Sequence, residues 1–154
     1  MPKFILLRIV TDEGGRRAMA LKYNNDQHHE YLDMIDRVGR EWLGVFEGDT
    51  AFYSAAYWDL LTRMWKDHAP VMKTDALGFI TGVKSPHTAG KFIDTAIRQG
   101  LLVETANPQD ARSKLVALAP HMRERLDGFF DRAVSEVRRS NRHLDIKGPS
   151  PEAP

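Results

Sequence analysis

Residues 84–118 constrain the fold more than any other part of this chain. The pair Ser85-Pro86 precedes apolar residues at helical spacing, and the helical pattern ends at Gly100. Serine is a preferred helix N-cap, proline suits the first helical position, and glycine commonly ends a helix in the left-handed conformation. After this helix the polar sequence N-P-Q-D-A-R is flanked by two β-prone runs, Leu101–Thr105 and Lys114–Leu118. The segment predicts a capped helix followed by a β-hairpin.

Two longer helices are predicted before this segment. Residues 26–46 carry apolar side chains at steps of three and four, and one of the polar residues 24–26 can cap the helix. The pattern restarts after an E-G-D sequence, so we expect a second helix with Asp49 or Thr50 as its cap. Pro70 stops this second helix because proline lacks the N–H that the helix needs.

A short helix and a long one complete the helical pattern. Thr74 is the expected cap of a short helix over residues 75–81. With the helix that starts at Ser85, it forms a helix-turn-helix. Pro120 opens the last helix, whose apolar stripe runs to about residue 144.

Composition excludes several classes of protein. The chain has 154 residues, 28% of them charged, with a net charge of +1 and no cysteine, which rules out disulfides and thiolate zinc sites. Wholly apolar runs such as Phe4 to Leu7 are too short for a membrane span, and no signal-peptide pattern is present. We therefore expect a cytoplasmic protein without a membrane partner. No catalytic motif is present, and His28-His29-Glu30 would point in different directions on a helix, so we expect no enzyme, cofactor or metal site.

The helix that begins at Ser85 has a polar surface opposite its apolar stripe. Burial of the stripe leaves the first two turns to present short hydrogen-bonding groups followed by a cation, and Ala89 and Gly90 add no bulk there. A helix of this kind can lie deep in the major groove of duplex DNA. The candidate residues for this contact are Lys84, Ser85, His87, Thr88 and Lys91.

The turn of the predicted hairpin carries a second group of candidates. Asp110 can hold the loop by accepting backbone N–H bonds, or it can hold the Arg112 guanidinium in a bidentate ion pair. Arg112 at the tip can enter a narrow minor groove. By the two-residue alternation of a strand, Lys114 projects on the same side as Arg112 and can meet a phosphate.

The order of elements predicts a mainly α chain with a small β-hairpin wing. We expect a winged helix-turn-helix domain with flanking dimerisation helices over residues 25–144, whose DNA-binding core is residues 50–120. Residues 1–24 form an N-terminal arm, either a β-hairpin or a pair of short helical turns. Residues 145–154 are Pro-rich and are expected to be a disordered tail.

The segment resembles the winged helix-turn-helix of the MarR family of bacterial transcription regulators. Four of its motifs fit the family pattern without gaps: F-I-D-T-A at 92–96, G-L-L at 100–102, N-P-Q-D-A-R at 107–112 and L-V-A-L at 115–118. The resemblance implies that Ser85, His87, Thr88 and Lys91 contact the major groove and phosphates. It also implies that Arg112 probes the minor groove and that Asp110 orients the wing. Members often carry basic residues where this chain has Glu104, Thr105, Ala111 and Ser113, which predicts weaker DNA binding.

The same resemblance implies a homodimer that controls transcription at a near-palindromic DNA operator. The apolar stripes of the first and last long helices also look wider than one small core can cover, which favours a two-fold partner. A small aromatic or anionic effector is expected in a pocket lined by Trp42, Tyr53, Tyr57, Trp65 and His68, with Trp58 beside them. The alternative is that these aromatic residues, which recur at helical spacing, only form part of the core. Two alternatives stay open: a winged-helix docking or ligand-sensing module that has lost DNA binding, and a protein that binds small molecules only.

Overall fold

The computed structural model describes residues 20–148, and within this range it contains five α-helices and three β-strands. The predicted N-terminal arm, apart from residues 20–24, and residues 149–154 lie outside the described residues. The fold class predicted from the sequence is confirmed, because a helical protein carries one small antiparallel sheet. The elements are α1 (Asn25–Val45), α2 (Ala55–Asp67), β1 (Val71–Met72), α3 (Lys73–Ala76), α4 (Pro86–Arg98), β2 (Leu102–Asn107), β3 (Asp110–Leu118) and α5 (Pro120–Lys147).

Helix α1 is fixed at its start by a reciprocal cap. The Asn24 side chain accepts the Gln27 N–H at 2.9 Å, and the Gln27 side chain accepts the Asn24 N–H at 3.1 Å. The same two side chains donate to carbonyl groups at the end of α5, Asn24 to Lys147 and Gln27 to Leu144. These bonds carry α5 to Lys147, so the tail predicted from residue 145 begins too early. The sequence pattern missed this extension because its cause is a contact between distant segments.

Two of the predicted helix starts are wrong. Asp49 caps a single 3₁₀ turn, Thr50–Phe52, and α2 instead begins after Ser54, whose hydroxyl accepts the Tyr57 N–H at 3.4 Å. The short helix α3 begins at Lys73 rather than after Thr74, with no side-chain cap, and it continues only as the 3₁₀ turn Leu77–Phe79. Strand β1 ends immediately before α3, so pairing in the sheet sets where this helix starts.

The sheet has the strand order β1-β3-β2, and all its pairs are antiparallel. Val71 of β1 and Glu104 of β2 both pair with Val116, near the end of β3. The ladder between β2 and β3 becomes irregular at Ala106 and Asn107, and only Pro108 and Gln109 separate the two strands. The hairpin strands therefore run further toward the tip than predicted, which places Asp110 and Arg112 within β3.

The core joins the helix-turn-helix to the long helices. Side chains from α2, α4, β3 and α5 fill it, and the largest fully buried residues include Leu60, Leu61, Met64, Ile93, Val116, Leu126 and Phe129. Trp42 of α1 contacts Phe129 edge to face at 5.3 Å between ring centroids. Helix α4 is consequently held along one side, and its other side is left for contacts outside the fold.

Among the described helices, none has the length and apolar character that crossing a bilayer requires.

Candidate nucleic-acid interface

Helix α4 packs into the fold through a narrow apolar stripe. Ala89, Ile93 and Ala96 are buried, and the Tyr57 ring of α2 contacts the Phe92 ring edge to face at 5.3 Å. The expectation that Ala89 and Gly90 belong to the outer surface is wrong. Ala89 is only 2% exposed, and a Cβ added at Gly90 would lie 3.8 Å from a methyl group of Leu77. Both positions therefore face the fold, and a Cβ at Gly90 would make an ordinary van der Waals contact with the preceding 3₁₀ turn.

The turn before α4 is held from α2. The Asp59 carboxylate accepts both the N–H and the hydroxyl of Thr81, at 3.0 and 2.7 Å. Ser85 occupies the N-cap position, but its hydroxyl makes no capping hydrogen bond, contrary to the prediction. Pro86 at the first helical position has no N–H and so removes one of the donors that a cap would satisfy. The Ser85 hydroxyl is therefore exposed on the outer surface rather than used inside the helix.

The polar side chains at the start of α4 lie outside the core, as the sequence predicts. Lys84, Ser85, His87, Thr88 and Lys91 are all exposed. At the other end, α4 is terminated by Gly100, whose φ of +73° is the left-handed conformation expected for this residue. Pro86 and Gly100 thus mark the two ends of the helix, and its first two turns present these polar side chains on their outer side.

The tip of the wing is stiffened by short-range hydrogen bonds. The Arg112 N–H donates to the Asp110 carboxylate at 3.0 Å, so Asp110 holds the backbone of the loop. The alternative ion pair between Asp110 and the Arg112 guanidinium is not formed. Asn107 donates to the Ser113 hydroxyl at 2.8 Å, which donates in turn to the Asp110 carbonyl at 3.1 Å. Ser113, which departs from the family pattern, therefore has a structural partner in this chain.

Arg112 and Lys114 share a surface, although the strand between them is irregular. Both line a cleft of about 320 Å³ between the wing and the start of α3, together with Lys73, Thr74, Leu77 and Ser113. The side chains of Arg112 and Lys114 are exposed. The wing and the helix-turn-helix thus present cations on the two sides of one cleft.

Ion pairing distinguishes the cations of residues 71–118 from one another. In residues 71–118, all of them described, the side chains of Lys84, Lys91, Arg112 and Lys114 have no hydrogen-bond or ion-pair partner within residues 20–148. Lys73 differs, because its ammonium lies 2.8 Å from Asp94 and 2.7 Å from Glu104. These two carboxylates, Asp94 first, raise the pKa of Lys73. The sequence reasoning missed Lys73, since its partners are 21 and 31 positions away along the chain.

The five residues predicted to line one effector pocket are not brought together. Trp42 and Tyr53 line a cavity of about 250 Å³ with Ser54, Ala55 and Trp58. Tyr57 is buried on another side of α2, against Phe52. Trp65 and His68 lie near the end of α2, where the Trp65 ring contacts the Phe130 ring at a tilt and Trp65 donates to Asp127 at 2.7 Å. The predicted pocket residues therefore belong to three separate environments around α2.

Comparison with known proteins supports the fold. No family model matches the sequence, and no curated protein is significantly similar to it. Among solved structures, RV1404 from Mycobacterium tuberculosis matches with a TM-score of 0.57 and 17% identity, over 87% of this chain and 86% of that one. The transcriptional regulator Tm0710 from Thermotoga maritima matches with a TM-score of 0.51 and 15% identity, over 79% of this chain and 82% of its own. A MarR transcription factor from Planctomyces limnophilus is similar over 84% of this chain and 90% of its own, at 19% identity and a TM-score of 0.44.

The first two likenesses, at less than 25% identity, show the fold of the chain. It is the winged helix-turn-helix that the sequence motifs predict.

Proposed function

We propose that this protein is a dimeric transcriptional regulator that binds duplex DNA in a sequence-specific way. One observation carries the proposal: the exposed start of α4 and the wing together hold four cations that have no partner within the described residues. Phosphate binding by such a cation displaces only solution counterions, so its charge is fully available. A helix-turn-helix with this surface has the shape and chemistry to read a major groove.

The residues of this surface suggest distinct roles. His87 and Thr88 are short enough to reach base edges from a helix lying in the major groove. Lys84 and Lys91 flank them and suit the phosphates on either side of the groove. Arg112, at a stiffened tip, suits a minor groove, and Lys114 suits a phosphate near the wing root. Asp110 acts through the loop backbone, because its carboxylate holds the Arg112 N–H.

Dimerisation is supported by apolar side chains that the described chain leaves uncovered. On α1 the stripe that buries Trp42 continues to Ile35 and Tyr31, which are 43% and 58% exposed. On α5 the stripe that buries Phe129 continues to Val137, which is 52% exposed. Two helices whose apolar stripes extend past the core are suited to an isologous contact with a second copy. Two copies would present two α4 helices to a near-palindromic site.

The effector site of the proposal is the apolar cavity at Trp42, Tyr53 and Trp58. It lies where α1 meets the start of α2, so a small aromatic molecule bound there would contact both elements. Release from DNA then requires that the effector bind unequally to two arrangements of these helices. Thermal-shift measurements with aromatic acids, comparing the wild type with Trp58→Ala, test this part.

Gel-shift titration against sheared genomic DNA over a salt series tests DNA binding. Lys91→Gln should weaken binding and reduce the slope of log affinity against log salt by about one, because one phosphate contact is lost. Arg112→Gln should cost about 1–3 kcal/mol at a preferred site. Arg138→Gln is the matched control, since Arg138 is an exposed cation of α5 without an ion pair in the described residues. Affinity that is absent, or that does not depend on salt, contradicts the proposal.

A docking or ligand-sensing module is the second candidate function. Two observations favour it. The Glu104 carboxylate on β2 is already paired with Lys73. Arg112 and Lys114 are the only cations among the hairpin residues 102–118. Under this function, Lys91→Gln and Arg112→Gln would leave DNA affinity equal to that of the wild type.

A further inference from the structure

Lys73 joins three elements of the winged helix-turn-helix. It begins α3, and its ammonium lies between Asp94 on the outer part of α4 and Glu104 on β2. Each nitrogen–oxygen distance is below 3 Å, which is the range of charge-assisted hydrogen bonds. The three side chains are only partly exposed, so solvent screens them less than it screens a free surface pair.

The sheet register explains why these groups meet. Glu104 pairs with Val116, and residues directly opposite on neighbouring strands point to the same face. Val116 is fully buried, so Glu104 points toward the helices rather than away from them. Val71 pairs with the same residue from the other side, and Lys73 follows two positions later. The sheet thus brings the start of α3 and the Glu104 carboxylate to the same side of the wing, facing α4.

We propose that Lys73 is a positioning residue, which sets the angle between α4 and the wing through Asp94 and Glu104 and makes no contact with DNA itself. This proposal rests on the proposed function. Without the ammonium, the two carboxylates would face each other as like charges, and α4 and β2 would move apart. With it, the polar start of α4 and the tip of the wing are held in one arrangement.

Neutralising Glu104 or Asp94 tests this role, because a positioning role predicts weaker DNA binding and electrostatic repulsion alone predicts stronger binding. A carboxylate near DNA repels phosphates, so its removal alone should strengthen binding. If Lys73 positions α4 and the wing, Glu104→Gln and Asp94→Asn should each weaken binding roughly fivefold, as expected for loss of about 1 kcal/mol of coupling. The slope of affinity against salt should stay equal to that of the wild type, because no phosphate contact is removed.

The control is Asp75→Asn, which removes an exposed carboxylate of α3 that has no ion pair in the described residues. It should leave DNA affinity unchanged or slightly increased. If Glu104→Gln and Asp94→Asn behave like Asp75→Asn, the positioning role is overturned. Circular dichroism and thermal melting identify any variant that fails to fold, and Glu104→Asp should recover part of the affinity by restoring the charge.

Hydrogen exchange without DNA separates failure of this inference from failure of the proposed function. In Lys73→Gln, amide exchange in β2 and in the second half of α4 should be several times faster than in the wild type, whereas exchange in α1 and α5 should not change. Unchanged exchange in β2 and α4 overturns the positioning role even if the wild type binds DNA. Faster exchange there, in a protein that binds no DNA, supports the coupling and contradicts only the proposed function.

Discussion

Glu30 makes the packing of α1 on α5 sensitive to acid. Its carboxylate is almost fully buried, and Lys147 at 2.7 Å, Arg37 at 3.3 Å and His143 at 3.4 Å surround it. The hydrogen bond from Lys147 is the main cause that lowers the pKa of Glu30 from 4.5 to about 2, against the opposing effect of burial. Because the unfolded chain would titrate near 4.5, the folded state gains stability from the charged carboxylate.

The magnitude follows from the two pKa values. A fall from 4.5 to about 2 corresponds to roughly 3 kcal/mol of the free energy of unfolding. The Lys147 and His143 side chains are each 40% exposed, so screening by solvent reduces this to on the order of 1–2 kcal/mol. The pKa is lowered, so the contribution is complete above pH 4.5 and is lost as the pH falls toward 2.

Urea unfolding of Glu30→Gln at fixed protein concentration measures this contribution. At pH 7 the variant should be less stable than the wild type by about 2 kcal/mol, since Lys147 and Arg37 lose their shared carboxylate. The gap should narrow between pH 4.5 and pH 2, where Glu30 of the wild type becomes neutral. Glu41→Gln is the control, because the Glu41–Arg132 pair is about half exposed and should contribute less than about 1 kcal/mol. A gap that persists unchanged at pH 2 would refute the electrostatic reasoning and would indicate a loss of shape or hydrogen bonding instead.

Two further predictions concern the end of α4 and the uncovered stripes. Gly100→Ala should lower the free energy of unfolding by about 1 kcal/mol, because the φ of +73° at this position disfavours a Cβ. Gly78→Ala is the control and should not lower it, because Gly78 has no such φ and an added Cβ would meet no atom within 4 Å. Thermal melting of both variants checks this prediction. Val137→Asp should shift a dimer toward monomer in sedimentation equilibrium, because a charge would enter an apolar contact. Val103→Asp, an exposed valine of the wing, should leave the association state as in the wild type, and equal behaviour of the two variants would contradict the proposed interface.

The parts of the fold that sequence predicts well are those fixed by local signals. Helix α4 begins at Pro86 and ends before Gly100 because the cap position, the first helical residue and the left-handed terminator all lie within the segment itself. The β-prone runs Leu101–Thr105 and Lys114–Leu118 likewise predict the two hairpin strands. The outward surface at Lys84, Ser85, His87, Thr88 and Lys91 follows from the helical periodicity of α4.

The parts that sequence reasoning missed depend on distant contacts. Strand β1 has only two residues, and it exists because β3 offers an edge to Val71 and Met72. The end of α5 is extended by Asn24 and Gln27 of α1. The aromatic residues of α2 were grouped by their chemistry, but their positions on different turns assign them to different neighbours. The ion-pair partners of a polar residue such as Lys73 can be identified only after the sheet register is known.

The pattern of ion pairs shows why a net charge of +1 says little about an anionic partner. A cation that already has a carboxylate partner must lose that pair before it can bind a phosphate, and the cost offsets most of the gain. Four cations of the long helices are in ion pairs: Arg37 with Glu136 and Glu30, Arg125 with Glu47, Arg132 with Glu41, and Lys147 with Glu30. Apart from Arg37–Glu30 within α1, each of these pairs connects α5 with α1 or with the turn that follows it, and each must be broken before its cation can bind a phosphate. In residues 71–118, the single positive charge of Lys73 is shared between Asp94 and Glu104 and offsets one of their two negative charges. Under the proposed function, it is the placement of Lys84, Lys91, Arg112 and Lys114 together around α4 and the wing, and not the net charge of the chain, that favours a phosphate backbone there.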